Sequence, residues 1–275
     1  MEDVHAHLAG AYERAAPTYE RAGFSHHAPF GEQLAHRVLL GPGGRVLDVG
    51  CGAGGALLPA ARRVGETGEA VGIDVSEGMV ARTREAAAEA GLEWVRAEVM
   101  DAASLEFEDE SFDAVLCAFS LGSFADVDAA LSEMRRVLRP TGTIGVSQWD
   151  PVTDDEWHWE GELMGEFASQ APPELLAEVA RRSGRVAEAP RLHAALKDAG
   201  FDDIKIDRSH VDRTYPSADA WWDWFRSGGA RVYVESLPEA AQEEFRDRGL
   251  ERLRDASEYQ RTRRFVAMLA VARVA

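Results

Sequence analysis

A short segment of the chain, VLDVGCGAGG (residues 46–55), carries four glycines directly after an apolar stretch that is typical of a buried strand. Glycine allows positive φ and lets a ligand lie close to the backbone. A helix is predicted to begin near Ala56, and its free N–H groups would face the same ligand. The spacing does not fit the P-loop pattern G-x-x-x-x-G-K-[ST], so a P-loop is excluded. The segment therefore predicts a binding turn of the nucleotide type.

Three carboxylates lie in or near the predicted ends of neighbouring strands. Asp74 ends the next strand, where it can accept hydrogen bonds from both hydroxyls of a ribose or simply cap the turn with Ser76. Asp101, after the third strand, suits either an adenine amino group or an Asx turn. Asp48, inside the strand–turn, would repel a dinucleotide pyrophosphate but attract a cationic ligand with an ammonium group. This combination favours S-adenosylmethionine and disfavours an NAD(P)-dependent oxidoreductase.

The elements that would position these residues alternate between strand and helix as far as residue 149. Apolar runs predict strands at 45–49, 70–75, 93–97, 112–118 and 143–149, and helical patterns lie at 55–64, 77–90 and 126–138. Ser76, Gly91 and Pro140 supply the expected helix punctuation. Alternation with short links predicts an α/β fold with a doubly wound, parallel sheet, whose strand ends and binding loops share one edge.

The alternation stops after Trp149. Helical patterns around 156–169 and 173–183 are followed by a helix at 190–199, a strand at 201–208 and a closing strand at 263–273. We call the two intervening segments, 150–190 and 211–262, the lid. The predicted organisation is a core of N-terminal helices and binding turn (1–149), the first lid segment (150–190), and a last core helix with the last strands and the second lid segment (191–275).

Five motifs in order give the chain a resemblance to a known family. They are VLDVGCGAGG (46–55), GIDVSEGM (72–79), AEVMD (97–101), FDAVLCAFSLGSFAD (112–126) and MRRVLRPTGTIGV (134–146). Together they resemble the class I S-adenosylmethionine-dependent methyltransferases, nearest the group of ubiquinone/menaquinone-type and small-molecule (natural-product) methyltransferases. The resemblance implies a Rossmann-like, seven-stranded, mostly parallel sheet with an antiparallel last strand and an inserted helical lid. It also implies S-adenosylmethionine as the cofactor.

The same resemblance assigns residues to the cofactor. The glycines of the turn would line its methionine and ribose portions, with Asp48 near its amino group and Asp74 at its ribose. Met79 would pack on adenine, and the carbonyl of Cys117 would face the methionine ammonium. Tyr19 would close over the methionine carboxylate, unless it is a core-facing residue of an amphipathic helix. The implied cofactor-binding residues are Tyr19, Asp48, Gly50, Cys51, Gly52, Gly54, Asp74, Val75, Met79, Asp101, Ala102, Cys117, Ala118 and Phe119.

Transfer of a methyl group from a sulfonium is an in-line displacement that alignment and desolvation accelerate. A base is therefore needed only if the acceptor must lose a proton. Many relatives carry histidines after the fourth strand, where this chain has Leu-Gly-Ser (121–123). Candidate bases are His158 in the lid, which is the leading one, His27 and His26; each is alternatively a solvated surface histidine.

Aromatic side chains are dense in the lid: Trp157, Trp159, Phe167, Tyr215, Trp221, Trp222, Trp224, Phe225 and Tyr233. Trp221, Trp224 and Phe225 fit the spacing of a helical core stripe, but the adjacent rings of Trp221 and Trp222 cannot face one way. We expect some of these rings to line a cavity for an apolar or aromatic acceptor. Trp159→Ala or Trp222→Ala would then raise the acceptor KM and leave cofactor affinity unchanged.

These features predict a methyltransferase that acts on a natural-product or quinone-like small molecule, with oxygen favoured over carbon or nitrogen. C-methylation of an electron-rich ring or alkene is the alternative within this class. The alternative from another class is a protein that binds S-adenosylmethionine structurally and catalyses a cyclisation or other rearrangement. The missing histidines after the fourth strand permit that alternative.

The composition of the chain limits which binding partners and which cellular location are expected. The formal net charge is −18, with 48 acidic against 30 basic side chains, so a nucleic acid substrate is disfavoured. No apolar run is long enough to span a membrane, and the N-terminal segment lacks the apolar core of a secretion signal, so a cytoplasmic location is expected. Cys51 and Cys117 are expected to be free thiols, and no Cys/His cluster indicates a metal site. The sequence leaves open a homo-oligomer.

Overall fold

One sheet organises the protein. The computed structural model describes residues 10–19, 25–151 and 157–275. Its strands lie in the order β3-β2-β1-β4-β5-β7-β6. They are β1 (Arg45–Val49), β2 (Glu69–Asp74), β3 (Val95–Val99), β4 (Phe112–Ala118), β5 (Leu138–Trp149), β6 (Phe201–Thr214) and β7 (Thr262–Val274).

Helices connect the strands and cover the sheet. The α-helices are α1 (His27–Arg37), α2 (Leu57–Val64), α3 (Glu77–Glu89), α4 (Val127–Val137), α5 (His158–Phe167), α6 (Pro173–Gly184), α7 (Ala189–Asp198), α8 (Ala218–Phe225), α9 (Ala230–Ser236), α10 (Glu239–Arg254) and α11 (Glu258–Arg261). Residues 10–15 are also helical. The helices α5 and α6 lie in the first lid segment and α8 to α11 in the second.

The directions of the strands confirm the predicted sheet. β3, β2, β1, β4 and β5 pair in parallel, whereas β7 is antiparallel to both of its neighbours, β5 and β6. The central strand β1 is apolar on both faces: Val46 belongs to the core that α1 and α2 cover, and Leu47 and Val49 belong to the core that α4 and α7 cover. This two-sided burial explains the continuous apolar runs of the sequence.

Two strands are longer than the sequence predicts. β5 begins at Leu138 rather than at residue 143, because Leu138 already pairs with Phe112 before an irregularity that contains Pro140, which has no N–H to donate. β6 continues to Thr214 rather than ending at residue 208, and pairs with β7 along its length. Since β6 is an edge strand, its polar outward residues read as a loop. The second lid segment therefore leaves the sheet only after Thr214.

The N-terminal helical residues join the lid to the core. Ala11 packs with Leu175 of α6 and Val232 of α9, and the Arg14 guanidinium donates to the Glu235 carboxylate at 2.5 and 2.9 Å. Ala15 packs at the start of α3. No helix among the described residues is long and apolar enough to cross a membrane.

Candidate active site

The glycine turn follows β1 and adopts the conformation for which glycine is suited. Gly50, Gly52 and Gly54 have φ of +73°, +54° and +85°, a region that side chains with a Cβ rarely adopt. A Cβ at Gly50 would lie 2.5 Å from the Ser120 side chain, so the loop after β4 rests directly on the turn. A Cβ at Gly52 would meet no other atom within 4 Å. The turn is therefore closed on one side and open on the other.

Asp48 lies under this turn and is 1% exposed. Neither carboxylate oxygen has a hydrogen-bond partner of standard geometry among the described residues. Burial raises the pKa of Asp48 to about 7, and the charge of Asp74 adds to this effect, whereas the nearby N–H of Leu57 opposes it. A buried carboxylate without a partner is costly, and a cationic group bound in the turn would remove that cost.

Asp74 ends β2 and is held by two backbone donors. Its Oδ2 accepts from the Gly52 N–H and its Oδ1 from the Ser76 N–H, both at 3.0 Å. Ser76 in turn caps α3 by accepting from the Met79 N–H at 3.1 Å. Burial raises the pKa of Asp74, which these hydrogen bonds counteract. The carboxylate thus fixes the two turns together at the same strand edge as Asp48.

The other residues that the sequence assigns to the cofactor near the second and third strands differ in burial and in hydrogen bonding. Asp101 forms an Asx turn, because its Oδ1 accepts from the Ala103 N–H at 2.9 Å. Ala102 is buried, whereas Val75 is 54% exposed at the end of β2. Met79 is buried against the N-terminal helical residues, with Tyr19 packed on the same cluster.

Both cysteines are buried free thiols, as the sequence predicts. Burial raises the pKa of Cys117 to about 12 and that of Cys51 well above its usual value. Both side chains are therefore protonated, and their thiols take no part in nucleophilic chemistry. Cys117 and the adjoining Ala118 lie at the end of β4, where the Cys117 thiol contacts the Ser120 hydroxyl at 3.2 Å.

An aromatic group stands at the ends of β4 and β5. Phe119 has φ of +60°, which is strained for a bulky residue, and its N–H donates to the Ser147 carbonyl at 3.0 Å. Its ring stacks on Trp149 with centroids 4.1 Å apart and planes at 28°. The His27 ring lies 5.1 Å from Phe119 and 5.4 Å from Trp149. Since Ser120 rests on Gly50, this group adjoins the glycine turn.

The helix α1 places both N-terminal histidines beside that group. A Cβ at Gly31 would lie 2.4 Å from the Gly55 carbonyl oxygen, so the backbone of α1 packs directly on the end of the glycine turn. His27 begins this helix, and its Nδ1 lies 3.4 Å from the Tyr19 hydroxyl. His26 is only 6% exposed and its ring centroid is 3.9 Å from that of His27.

His26 already uses the nitrogen that a base would need. Its Nδ1 accepts from the Trp224 Nε1–H at 2.8 Å. Burial lowers the pKa of His26 well below its usual value, and the positive charges of His27, Arg263 and Arg213 lower it further. His26 is therefore neutral, with its proton on Nε2, and it connects α8 of the lid to the start of α1.

His158 is the leading candidate base from the sequence, but the structure does not place it beside the other candidate residues. It begins α5 with its side chain 56% exposed, and its Nε2 lies 3.7 Å from Glu162 on the next helical turn. The structure brings His26 and His27 together with Tyr19 and Phe119, and it does not bring His158 to them.

Most lid aromatics pack on each other. Trp159 and Trp221 lie 5.4 Å apart, as do Trp221 and Phe225, and the Trp221 Nε1–H donates to Glu160 at 2.9 Å. The partly exposed Trp222 stacks on Phe225. These rings form the interior of the lid, and Trp224 is the lid tryptophan whose side chain reaches the histidine pair. The expectation that Trp159 and Trp222 line the acceptor cavity is therefore not supported by their placement.

Two residues of the site were missed from the sequence. The sequence predicts Trp149 only as the last residue of a strand, although a large aromatic residue at the carboxyl end of a strand indicates a candidate ligand contact. Glu13 lies on the N-terminal helical residues and accepts from the Ser76 hydroxyl at 2.6 Å and the Gly78 N–H at 3.0 Å. These hydrogen bonds lower the pKa of Glu13. No sequence pattern links Glu13 to a turn more than sixty positions away.

Comparison with known proteins agrees with this geometry. A family model described as a methyltransferase domain matches residues 46–142. Nocamycin O-methyltransferase of Saccharothrix syringae is 36% identical over 231 residues, which cover 82% of each chain. The crystal structure of YcgJ from Bacillus subtilis has a TM-score of 0.59 at 20% identity, covering 91% of this chain and 100% of that one. The [4+2]-cyclase SpnF has a TM-score of 0.54 at 24% identity, covering 90% and 81%.

The chain belongs to the S-adenosylmethionine-dependent methyltransferase family. The two solved structures share its Rossmann-like fold, and their low sequence identity carries no more than that. S-adenosylmethionine is the cofactor, and the site fits it: the unpartnered Asp48 carboxylate and the open side of the turn at Gly52 suit a ligand with an ammonium group and a positive sulfur. No cluster of three metal-binding side chains occurs among residues 10–19, 25–151 and 157–275.

Proposed function

We propose that the protein methylates a hydroxyl oxygen of a small, apolar acceptor molecule. The observation that carries this proposal is the aromatic group of His27, Phe119 and Trp149, which adjoins the glycine turn at the ends of β4 and β5. An apolar site with one titratable group at its edge is typical of small-molecule pockets. The similarity to an O-methyltransferase for nocamycin supports oxygen as the acceptor atom.

The cofactor lies over the glycine turn in this proposal. When bound, S-adenosylmethionine supplies a methyl group on a positively charged sulfur. Asp48 faces its ammonium group, Asp74 accepts from the ribose hydroxyls, and Met79 packs on adenine. Further cofactor contacts come from Tyr19, Gly50, Cys51, Gly52, Gly54, Val75, Asp101, Ala102, Cys117, Ala118 and Phe119. The clustering of Tyr19 with Met79 and its approach to His27 support this arrangement.

His27 is the base in this proposal. Its Nδ1 lies 3.4 Å from the Tyr19 hydroxyl oxygen, at the edge of the aromatic group, and the imidazole takes the proton of the acceptor hydroxyl. An imidazole base suits an acidic acceptor hydroxyl such as that of a phenol or an enol. His26 has committed its lone pair to Trp224, so it orients its neighbour instead.

Paired histidine variants test the base. His27→Gln is expected to lower kcat by about 100-fold or more, because the acceptor would have to lose its proton to water. His158→Gln is the control, since that side chain is exposed and lies apart from the aromatic group. Equal rates for His27→Gln and the wild type would remove His27 from the reaction, and a large loss in His158→Gln would restore His158.

The reaction itself is tested with S-adenosylmethionine that carries an isotope-labelled methyl group and a panel of phenolic and enolic acceptors. We expect the label in a methoxy group, which NMR distinguishes from a methyl group on carbon by its chemical shift. A carbon-bound label would replace O-methylation by C-methylation. Tight cofactor binding with a rearranged, unlabelled product would favour the cyclase alternative.

A further inference from the structure

Trp149 combines features that a purely structural residue does not need. It is the last residue of β5 and remains 36% exposed although its ring contacts several buried side chains. The closest contact is Phe119, whose ring is stacked on it at 4.1 Å. We call Trp149 and Phe119 the aromatic platform. The half-buried ring of His27 lies with its centroid 5.4 Å from that of Trp149.

Phe119, one of the two residues of the aromatic platform, has a strained backbone conformation. Phe119 adopts φ of +60°, which a bulky side chain rarely tolerates, and the Ser147 carbonyl fixes its N–H. Strain of this kind is kept where the surrounding structure uses the resulting side-chain position. Here the strained residue is neither a glycine nor part of a hairpin, and its effect is to lay a phenyl ring on Trp149. Phe30 packs edge-on against both rings and supports them from α1.

We infer that the aromatic platform binds a planar, conjugated ring of the acceptor and selects it over saturated molecules of equal size. The inference rests on the proposed function and names its substrate class. Phe119 and His26 both stack on the indole of Trp149, and an acceptor ring that contacts the exposed part of that indole gains an aromatic contact in addition to burial. The His27 ring stands at 66° to Phe119, at the edge of the platform, so a hydroxyl on the edge of the bound ring faces the base.

Binding measurements test this without requiring turnover. The probes are β-naphthol and its saturated analogue decahydro-β-naphthol, titrated calorimetrically into protein saturated with S-adenosylhomocysteine. The wild type is expected to bind the planar probe about five- to ten-fold more tightly. Trp149→Leu is expected to reduce this preference to less than about two-fold, and Trp149→Phe to keep most of it. The control is Trp222→Leu, which removes a partly exposed tryptophan inside the lid and leaves the preference unchanged.

The outcomes separate the inference from the proposed function. Equal affinity of the wild type for the two probes, or an undiminished preference in Trp149→Leu, overturns the inference even if methyl transfer occurs. A preference that depends on Trp149, without methyl transfer to any acceptor, overturns the proposed function and leaves the platform in place. If Trp149→Leu fails to fold, NOEs from bound β-naphthol to indole protons that vanish in Trp149→Phe test the contact, and their absence overturns it.

Discussion

Two buried acidic residues at the glycine turn, Asp48 and Asp74, differ in their hydrogen bonding. Asp74 is satisfied by backbone donors from Gly52 and Ser76, whereas neither carboxylate oxygen of Asp48 has a partner of standard hydrogen-bond geometry among the described residues. The difference suits two tasks. Asp74 holds the geometry of the turn, and Asp48 stays available for a cation at the expense of stability in the unliganded protein.

Asp48→Asn is expected to stabilise the unliganded protein at high pH. The folded pKa of about 7 exceeds the value of about 3.9 for an exposed aspartate. The folded state therefore holds the proton more tightly, so the contribution of Asp48 to stability is fully present below about pH 4 and is lost as the pH rises through 7. Denaturant unfolding at pH 8 should show the variant more stable by about 2 to 4 kcal/mol, with little difference near pH 4.

Cofactor affinity gives the opposite result for the same variant. Because the carboxylate would face an ammonium group, Asp48→Asn is expected to weaken S-adenosylhomocysteine binding about ten-fold or more at pH 8. Asp109→Asn is a matched control, since that carboxylate is exposed and pairs with Arg136 at the protein surface. A stability difference that does not change with pH, together with unchanged affinity, would remove Asp48 from the cofactor site.

Residue types and spacing indicate the glycine turn and its acidic residues, which are proposed to hold the cofactor, more directly than they indicate the proposed acceptor site. Gly50, Gly52 and Gly55 also satisfy the G-x-G-x-x-G spacing of dinucleotide turns, so the acid Asp48 decides between the cofactors. Local motifs define the proposed cofactor site because one turn contributes most of it. The proposed acceptor site joins His27 and Trp149, which lie far apart in the sequence, and their proximity depends on helix packing that the sequence does not encode locally.

At the scale of elements, the contact between α1 and the glycine turn determines where the proposed base stands. Because Gly31 has no side chain, the backbone of α1 contacts the Gly55 carbonyl group. A Cβ at Gly55 would in turn lie 3.7 Å from the Ala28 Cα, so the two backbones are close on both sides. The same packing orients the first turn of α1, where His27 lies. The sequence predicts the order of the core strands and the helices that follow β1, β2 and β4, but it gives no bounds for α1 and does not predict this close approach, since a glycine within a helix has no unique interpretation.

Gly31→Ala is expected to destabilise the protein although alanine favours helix. The added Cβ would lie 2.4 Å from the Gly55 oxygen and 2.6 Å from its carbonyl carbon, both of which are backbone atoms. The overlap should cost about 1 to 3 kcal/mol. It should also lower kcat, because α1 carries His27. Thermal unfolding and steady-state kinetics measure the two effects.

The control for this prediction is Gly165→Ala in α5. A Cβ there would meet no atom within 4 Å outside the helix, so helix propensity alone acts and the variant should gain about 0.5 to 1 kcal/mol. If both variants gained stability, the contact between α1 and the turn would be looser than the structure shows. If both lost stability, the cause would lie in the helices rather than in that contact.

At the scale of the whole molecule, the net negative charge of the chain acts on a ligand bound at the glycine turn. The chain carries a formal net charge of −18. The N-terminal helical residues connect the turn after β2, through Glu13 and Ser76, to the lid, through Arg14 and Glu235. A cofactor bound at the glycine turn would lie within reach of surface charge, because electrostatic fields extend over about one Debye length, which is about 10 Å at 0.1 M salt.

Salt is therefore expected to affect the two forms of the cofactor unequally. S-adenosylmethionine has one more positive charge than S-adenosylhomocysteine, so the negative field of the protein attracts it more strongly. Raising the ionic strength from about 20 mM to about 500 mM should weaken S-adenosylmethionine several-fold and S-adenosylhomocysteine much less. Calorimetric titration of both ligands at each salt concentration measures this, and product inhibition should become stronger relative to substrate binding. Parallel salt dependence of the two affinities would show that the net charge of the protein does not distinguish the sulfonium from the uncharged sulfur.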